Sequence, residues 1–225
     1  KMQKKIYLII AVVFISCATY LGKSDKLINY VDPFIGSGGH GHVFVGANVP
    51  FGGVQVGPTN FNKGWDWSSS YHHTDSIVKG FCHINVSGTG MSDLGELTIM
   101  PATGKLMTGA GTQNNHMAGY SSLYYKDKEH ASVGYYKVHL ERYDIDVELT
   151  ATERVGLHKY RFPKSDQSRV IIDLGEGSAD RPTETYLKKI NDTLFQGHRF
   201  SSGWARDQRE YFSLIISKPV DDFIL

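Results

Sequence analysis

Aromatic, acidic and histidine side chains alternate with glycines between Gly36 and Gly95, and together they have the chemistry of a sugar-binding cleft. Aromatic rings pack against the CH faces of a sugar, while carboxylates and imidazoles hydrogen-bond its hydroxyl groups. Glycine lets the backbone approach a ligand closely. Glycine-rich turns over an ordinary core would show the same pattern, so both interpretations stay open. The candidate substrate-binding residues are Trp65, Asp66, Trp67, Tyr71, His83, Ser87, Gly88, Thr89, Gly90 and Asp93.

Trp65 and Trp67 are separated by a single residue. In an extended segment, side chains two apart point to the same side. Both indoles would then face the cleft, and Asp66 would face away and bond loop backbone. The spacing does not decide which of the two indoles contacts a sugar, although the position of Trp67 directly before the SSSY turn slightly favours it. The alternatives are core packing for the two indoles and a hydrogen-bonded interior position for His83.

Two pairs of acidic residues in this stretch have the side chains that glycoside hydrolysis requires. An inverting enzyme holds two carboxyl groups roughly 6.5–9.5 Å apart, one protonated and one ionised. The candidate pairs are Asp66 with Asp75, and Asp93 with Glu96. Because the chain has 23 acidic residues, a pair chosen from them proves nothing, and we assign no catalytic residue.

Histidines are the residues here that suggest a metal site, as His40 with His42 and as the adjacent His72 and His73. Adjacent histidines in a strand point apart, and no acidic or thiol partner stands at ligand spacing. We therefore predict no metal site from these residues. Cys82 lies in an apolar alternation, which favours a buried structural thiol over a nucleophile.

Strands are the elements that must position these residues. After residue 26 the chain shows short runs rich in Val, Ile, Tyr and Phe, bounded by Gly, Asn and Asp. A period of two, clearest in Gly134–Glu141 and Ile145–Ala151, predicts half-buried antiparallel strands, and their regular spacing predicts an all-β antiparallel β-sandwich. The polar, glycine-rich segment Thr103–Gly119 is predicted to be a long loop. The predicted strands are Gly53–Val56, Ile77–Val86, Glu96–Met100, Ala131–Leu140, Ile145–Ala151, Val155–Phe162, Val170–Leu174, Thr193–Phe200 and Glu210–Ser217.

Residues 1–17 have the pattern of a secretory signal peptide: basic residues, an apolar run, then small residues before Cys17. The apolar run is shorter than the roughly twenty residues of a membrane span. Its last residues, FISC, resemble a bacterial lipobox, so we expect a lipid on Cys17 that anchors the protein in the periplasm or at the cell surface. The alternative is an ordinary signal peptide and secretion. Residues 18–26 would form a tether, and residues 27–225 the sandwich domain.

Composition places the chain among ordinary folded domains. Hydrophobic residues make up 40% of it, charged residues 21%, and the formal net charge is +1. There is no basic excess to bind nucleic acid and no acidic tail to suggest disorder. Without Cys17, the single remaining cysteine excludes an intrachain disulfide and a thiolate metal cage.

Four motifs of the glycine-rich stretch resemble the N-terminal segment of the glycoside hydrolase family 92 α-mannosidases. They are DPFIGSGG, GANVPFGGVQVGP, GWDWSSSY and GF-x-H-x-x-x-SGTG-x-x-D, in this order over residues 32–93. The chain departs from the family pattern at Val45, Ser70, Cys82 and Asn85, where Pro, Gly, Ser and His are usual. These departures bear on the finer sugar specificity and leave the order of the motifs intact.

The resemblance implies a β-sandwich of the supersandwich, galactose-mutarotase type, followed by an (α/α)6 barrel with the active site between them. It implies a calcium-dependent, inverting exo-α-mannosidase acting on α-mannosidic (α-1,2) linkages of mannose-rich N-glycans, with both carboxylates in the barrel. The chain reaches DDFIL within an apparent strand, so we expect a fragment that shapes the mannose pocket and is inactive alone. We assign no calcium ligand. The alternative is a stand-alone carbohydrate-binding surface lipoprotein.

Overall fold

The computed structural model describes residues 26–225. The predicted signal peptide, with Cys17, and residues 18–25 of the predicted tether lie outside the described residues. Residues 32–225 form one compact unit, and the described part of the preceding unit contains a 3₁₀ turn at Leu27–Tyr30. In the part of the chain that the structure describes, no helix is long and apolar enough to cross a membrane.

The compact unit is built from thirteen β-strands, and every pair of neighbouring strands is antiparallel. Further 3₁₀ turns lie at Trp65–Trp67, His116–Ala118 and Lys126–Lys128. The strands are β1 (Gly57–Thr59), β2 (Ile77–Val78), β3 (Gly80–Cys82), β4 (Thr98–Ala102), β5 (Ser122–Leu123), β6 (Glu129–Ser132), β7 (Tyr135–Leu140), β8 (Ile145–Ala151), β9 (Gly156–Arg161), β10 (Arg169–Asp173), β11 (Arg181–Lys189), β12 (Leu194–Ser202) and β13 (Gln208–Ile215).

These strands form four sheets, with the orders β1-β3-β4-β10, β6-β7-β8-β9, β11-β12-β13 and β2-β5. The main core lies between the first two sheets. Phe81 and Met100 of the first sheet share it with Tyr136, Val138 and Val147 of the second. This face-to-face packing of two antiparallel sheets confirms the predicted β-sandwich.

A second, smaller core lies on the other face of β4. Leu97 and Ile99 pack there with Leu174, and Leu187 of β11 and Leu214 of β13 cover them. The three-stranded sheet is therefore attached to the sandwich through this second core. Its β12–β13 hairpin reaches the glycine-rich stretch, which matters for the site described below.

The strongest sequence patterns match the structure most closely. The β8 strand has the predicted bounds, and in β7 and β8 the predicted apolar face is the buried one. This agreement follows from the period of two, because one face of this sheet packs on the core and the other faces outwards.

Other strand predictions need correction. The predicted strand Gly53–Val56 is displaced to Gly57–Thr59, and Ile77–Val86 is two short strands. Residues Arg181–Lys189 form a nine-residue strand that was not predicted, because most of it is exposed and shows no apolar alternation. The residues after β13, including DDFIL, are not in a strand.

Candidate functional site

The stretch around the two tryptophans is a single turn of 3₁₀ helix, Trp65–Trp67. Gly64 precedes it with a φ of +113°, a conformation that residues with a Cβ rarely adopt. In a 3₁₀ helix successive side chains are about 120° apart, so residues separated by one position diverge. The predicted extended segment, with both indoles on one side, is therefore wrong, and Trp65 and Trp67 have different surroundings.

The Trp65 indole is the exposed one, with 57% of its surface open to solvent. The edge of the His42 ring packs against it, with a centroid distance of 4.2 Å, and the His40 ring lies at 5.3 Å. An added methyl group on Gly90 would come within 3.3 Å of Trp65 Nε1, so this indole borders the Ser87–Met91 loop directly. Trp65 is thus a supported aromatic surface at the edge of that loop.

The Asp66 carboxylate binds histidine side chains and not loop backbone, which corrects the prediction. Its Oδ1 accepts a hydrogen bond from His40 Nδ1 at 2.6 Å and lies 3.6 Å from His42 Nε2. The hydrogen bond from His40 lowers the pKa of Asp66. Asp66 therefore holds the two imidazoles that pack against Trp65.

Trp67 is half-buried and its polar atom is occupied. Its Nε1 donates a hydrogen bond to Asp75 Oδ2 at 2.9 Å, and its ring stacks on His72 with centroids 4.3 Å apart. Lys63 Nζ lies 5.3 Å from the ring centroid and also pairs with Asp75 at 2.8 Å. These contacts make Trp67 part of a packed cluster, and Trp65 is the more accessible of the two indoles.

Polar side chains hold the Ser87–Met91 loop in place through its backbone. The Thr89 carbonyl accepts hydrogen bonds from Ser68 Oγ at 2.9 Å and from His42 Nδ1 at 2.8 Å. The Gly88 N–H donates to the His42 carbonyl at 2.7 Å, and Gly88 has a φ of +73° that suits glycine. Ser87 Oγ accepts a hydrogen bond from the Phe44 N–H. The loop is therefore held by Ser68 on one hand and by the His42–Phe44 segment on the other.

This loop forms one side of an open recess of about 460 Å³. Pockets that bind small molecules typically have volumes of roughly 300–1,000 Å³. The peptide N–H groups of Thr89, Gly90 and Met91 donate no hydrogen bond within residues 26–225. The recess thus has an apolar wall and unpaired peptide N–H donors beside it. These two kinds of group match the CH faces and the hydroxyl oxygens of a sugar ring. Its lining residues are Val86, Thr89, Gly90, Met91, Asp93 and Trp204.

Asp93 lies at the recess with only 7% of its surface exposed. Its Oδ2 accepts hydrogen bonds from the Trp204 N–H at 3.2 Å and from Gln208 Nε2 at 2.9 Å. Both donors belong to the β12–β13 hairpin. Asp93 therefore ties this hairpin to the glycine-rich loop.

Tyr71 and His83 are not brought to the recess. Tyr71 is fully buried, and its hydroxyl hydrogen-bonds Glu129 and Lys126. His83 is buried beside His158, and both of its ring nitrogens have partners within the protein. The interior position given as the alternative for His83 is the one that the structure has.

The His83 surroundings form a chain of hydrogen bonds with one consistent set of proton positions. His83 Nδ1 donates to the Leu97 carbonyl at 2.9 Å, so its Nε2 must accept from His158 Nε2 at 3.0 Å. His158 Nδ1 then accepts from the Tyr160 hydroxyl at 2.7 Å. Burial lowers the pKa of both histidines. The pair is therefore neutral, and an added proton would place two donors against each other.

Neither predicted acidic pair has two free carboxyl groups in the recess. Asp75 is buried against Lys63 and Trp67, and Glu96 is buried near Arg199. Among residues 26–225 there is also no group of three or more His, Cys, Asp or Glu side chains arranged to hold a metal ion. This part of the chain therefore has no cluster of carboxylates that would fit a calcium ion.

Behind the recess lies a buried group of charges centred on Arg199 of β12. Its guanidinium pairs with Asp180 through two contacts of 2.5 and 3.1 Å, and Nη1 lies 3.7 Å from Glu96 Oε1. Glu210 of β13 is the further carboxyl group there. Burial, with the negative charge of Glu96 as the next cause, raises the pKa of Glu210 to about 7. Burial also raises the pKa of Glu96. One guanidinium thus faces several carboxyl groups.

Comparison with known protein families matches residues 30–225 to the glycosyl hydrolase family 92 N-terminal domain. The chain therefore belongs to this family, in agreement with the motif order. A family GH92 alpha-mannosidase from Bacteroides thetaiotaomicron, solved with mannoimidazole, is 35% identical and superimposes with a TM-score of 0.85. The match covers 88% of this chain and 26% of that one.

Two more distant relatives are also similar to this chain. A family GH92 inverting mannosidase from Bacteroides thetaiotaomicron, at 23% identity, has a TM-score of 0.70 over 88% of this chain and 26% of its own, and shows the shared fold. An uncharacterized secreted glycosidase of Arthroderma benhamiae is 26% identical over 165 residues, which is 66% of this chain and 20% of the relative. The chain thus spans about a quarter or less of the length of these proteins.

Trp204 is the recess residue that sequence reasoning missed. It lies in SSGWARDQ, far along the chain from the glycine-rich motifs and between two strands. The available signal was a tryptophan beside glycine in a turn with polar neighbours, where no core packing requires an indole. Its link to the recess depends on strand pairing that the motif could not show.

Proposed function

We propose that this chain is the N-terminal, substrate-binding domain of an inverting exo-α-mannosidase. The observation that carries the proposal is the exposed Trp65 indole beside a recess of about 460 Å³. Membership of the family supports it, as does the likeness to a solved family GH92 alpha-mannosidase. The proposed substrates are α-linked, and specifically α-1,2-linked, mannose residues at the ends of mannose-rich N-glycans.

In this proposal Trp65 packs against the CH face of a terminal mannose. The free peptide N–H groups of Thr89, Gly90 and Met91 donate to its hydroxyl oxygens. Such binding combines an apolar surface with a few fixed polar groups, as sugar sites require. The rigid Ser87–Met91 loop contributes because ordering it on binding would cost affinity.

The hydrolytic step requires an acid and a base that this recess does not combine. We propose that both belong to an (α/α)6 barrel domain, as the family resemblance implies, and that calcium acts there. The described residues of this chain bind and orient the sugar and exclude water from one of its faces. Consistent with this, we expect the 225-residue chain alone not to hydrolyse 4-nitrophenyl α-mannoside.

We further propose that the protein is exported and anchored by lipid on Cys17, in a bacterial periplasm or at a cell surface. The secreted relative supports export. Labelling cells with radioactive palmitate tests the anchor: Cys17→Ser should abolish incorporation, and labelling of that variant would contradict it.

Sugar binding tests the main proposal directly. The chain contains three tryptophans, so its ¹H–¹⁵N NMR spectrum has three indole N–H resonances, which single Trp→Phe variants assign. Titration with methyl α-mannoside to high millimolar concentration should shift the Trp65 resonance, while the Trp67 resonance moves less because its N–H is bonded to Asp75.

The matched control is Tyr211→Ala, which removes an exposed aromatic side chain outside the recess-lining set. This variant should bind the mannoside as the unmodified chain does, and Trp65→Ala should not bind it. A Trp65 resonance that stays in place throughout the titration would refute the proposal.

A further inference from the structure

The Trp204 indole has an unusual combination of exposure and restraint. It is 77% exposed, yet the hairpin that carries it is fixed at several points. The backbone N–H of Trp204 and Gln208 Nε2 both donate to Asp93. Gln208 Oε1 in turn accepts a hydrogen bond from Ser201 Oγ at 2.8 Å. Because Trp204 also lines the recess, its indole is held where it could pack against a bound ring.

Gly203 shows how closely this hairpin and Asp93 fit together. A methyl group added to Gly203 would lie 2.0 Å from Asp93 Oδ1 and 3.2 Å from the Asp180 Cβ. The Asp93 carboxylate is thus enclosed by the hairpin, with Oδ1 buried and without a hydrogen-bond partner within the described chain. Its bonds are directed at the hairpin that presents Trp204, and not at the open space of the recess.

The recess consequently has two indoles beside it, one bordering Gly90 and one among its lining residues. Trp65 borders it at Gly90, and Trp204 is attached to it at Asp93. Gly90 and Asp93 are three positions apart in the chain, so their Cα atoms are at most about 10 Å apart. Met91 lines the space between them. Two indoles attached to neighbouring positions of one loop can each pack against a sugar ring, which suits a ligand of two linked rings.

We propose that Trp204 forms a second sugar subsite, which binds the pyranose next to the one at Trp65, and that Asp93 is its positioning residue. This inference rests on the proposed function. It changes the role of Asp93 from a sugar contact to a support, because Asp93 acts through the hairpin. It also makes the recess selective for α-linked mannose disaccharides over monosaccharides.

Two ligands separate the subsites experimentally: methyl α-mannoside and α-1,2-mannobiose, each titrated into the chain and followed at the indole N–H resonances. Mannobiose should shift both the Trp65 and the Trp204 resonance, and the monosaccharide chiefly that of Trp65. Trp204→Ala should weaken mannobiose binding about three- to tenfold, the range expected from an aromatic contact, and leave monosaccharide binding unchanged. Tyr211→Ala serves again as the exposed-aromatic control.

Asp93→Ala and Gly203→Ala test the positioning role while keeping the Trp204 indole. Each should displace the hairpin and weaken mannobiose binding as Trp204→Ala does, with monosaccharide binding retained. Asp93→Asn keeps one acceptor oxygen and should restore part of the affinity. Gly203→Ala keeps the Asp93 side chain but sets a methyl group against its carboxylate, so it tests the same contact from the hairpin side if Asp93→Ala does not fold.

The outcomes distinguish this inference from the function on which it rests. Equal weakening of both ligands by Trp204→Ala, or a Trp204 resonance unmoved by mannobiose, overturns the second subsite and leaves the proposed function standing. A Trp65 resonance unmoved by either ligand overturns the proposed function. Normal mannobiose binding by both Asp93→Ala and Gly203→Ala overturns the positioning role alone.

Discussion

Glu210→Gln should stabilise the protein at neutral and alkaline pH. Glu210 shares its surroundings with Glu96 and Asp180, and Arg199 already forms a paired contact with Asp180. Burial and these neighbours raise the pKa of Glu210 from 4.5 to about 7. The Glu210 Oε2 atom is buried and has no hydrogen-bond partner within the described chain, so replacing it with an amide loses no bond at that atom.

The raised pKa of Glu210 makes the folded protein less stable as the pH increases. At low pH the Glu210 carboxyl group is protonated in both the folded and the unfolded chain, so its ionisation does not affect the free energy of unfolding. As the pH rises through 4.5, the unfolded form ionises while the folded form keeps its proton, so the free energy of unfolding falls until the pH reaches about 7. This rise in the pKa of Glu210 corresponds to about 3–4 kcal/mol of lost stability, at about 1.4 kcal/mol for each pH unit.

Urea unfolding of wild type and Glu210→Gln from about pH 5 to about pH 8 measures this effect. The advantage of the variant should grow by about 2–3 kcal/mol over that range, because the unfolded wild type is already partly ionised at the lower limit. Glu148→Gln is an opposite control. The hydrogen bonds from Lys159 and Tyr135 lower the pKa of Glu148, so its loss should destabilise the protein towards neutral pH.

A stability difference between wild type and Glu210→Gln that is the same at both ends of the pH range would refute the reasoning. It would mean that the carboxyl group is hydrated in the folded protein. Growth of the difference with pH in Glu210→Gln, together with the opposite trend in Glu148→Gln, would instead assign the effect to this buried group.

Two further perturbations address the interior. Arg199→Met should destabilise the fold by about 3–5 kcal/mol, because it leaves the Asp180 carboxylate buried without its partner; chemical unfolding measures this, and a loss under about 1 kcal/mol would contradict it. Wild type should lose stability as the pH falls below about 6.5, because His83 and His158 are buried in neutral form. His158→Phe should make this acid loss shallower, and an unchanged slope in thermal unfolding scans would show that the histidine pair is not its source.

The sequence predicted most where local pattern and burial coincide. Val138 and Val147 lie opposite each other on β7 and β8 and are both buried, so alternation alone identifies their face. Pattern fails for β11, whose residues are mostly exposed and include Pro182. That strand is held by its ladder with β12 and by a small patch around Leu187, and neither is visible as local periodicity.

The sequence indicated the loops that border the recess but not the contacts that their residues make. The glycine-rich motifs include the Ser87–Met91 loop, yet the spacing of Trp65 and Trp67 misled because the segment is not extended. Gly64 was visible in the sequence, but the turn that follows it depends on its positive φ. Trp204 could not be linked to Asp93, because 111 residues separate the two.

The polar residues of the motifs act on the loop more than on a ligand. Ser68 and His42 bind the Thr89 carbonyl, Asp66 binds the histidines behind Trp65, and Asp93 binds the hairpin of Trp204. A site is effective when the groups that touch the ligand are held by a second set of contacts. Sequence reasoning assigns polar side chains to the sugar because their chemistry matches its hydroxyl groups. Here the same chemistry also satisfies loop backbone, which leaves indole faces and free peptide N–H groups as the surface that a sugar would meet.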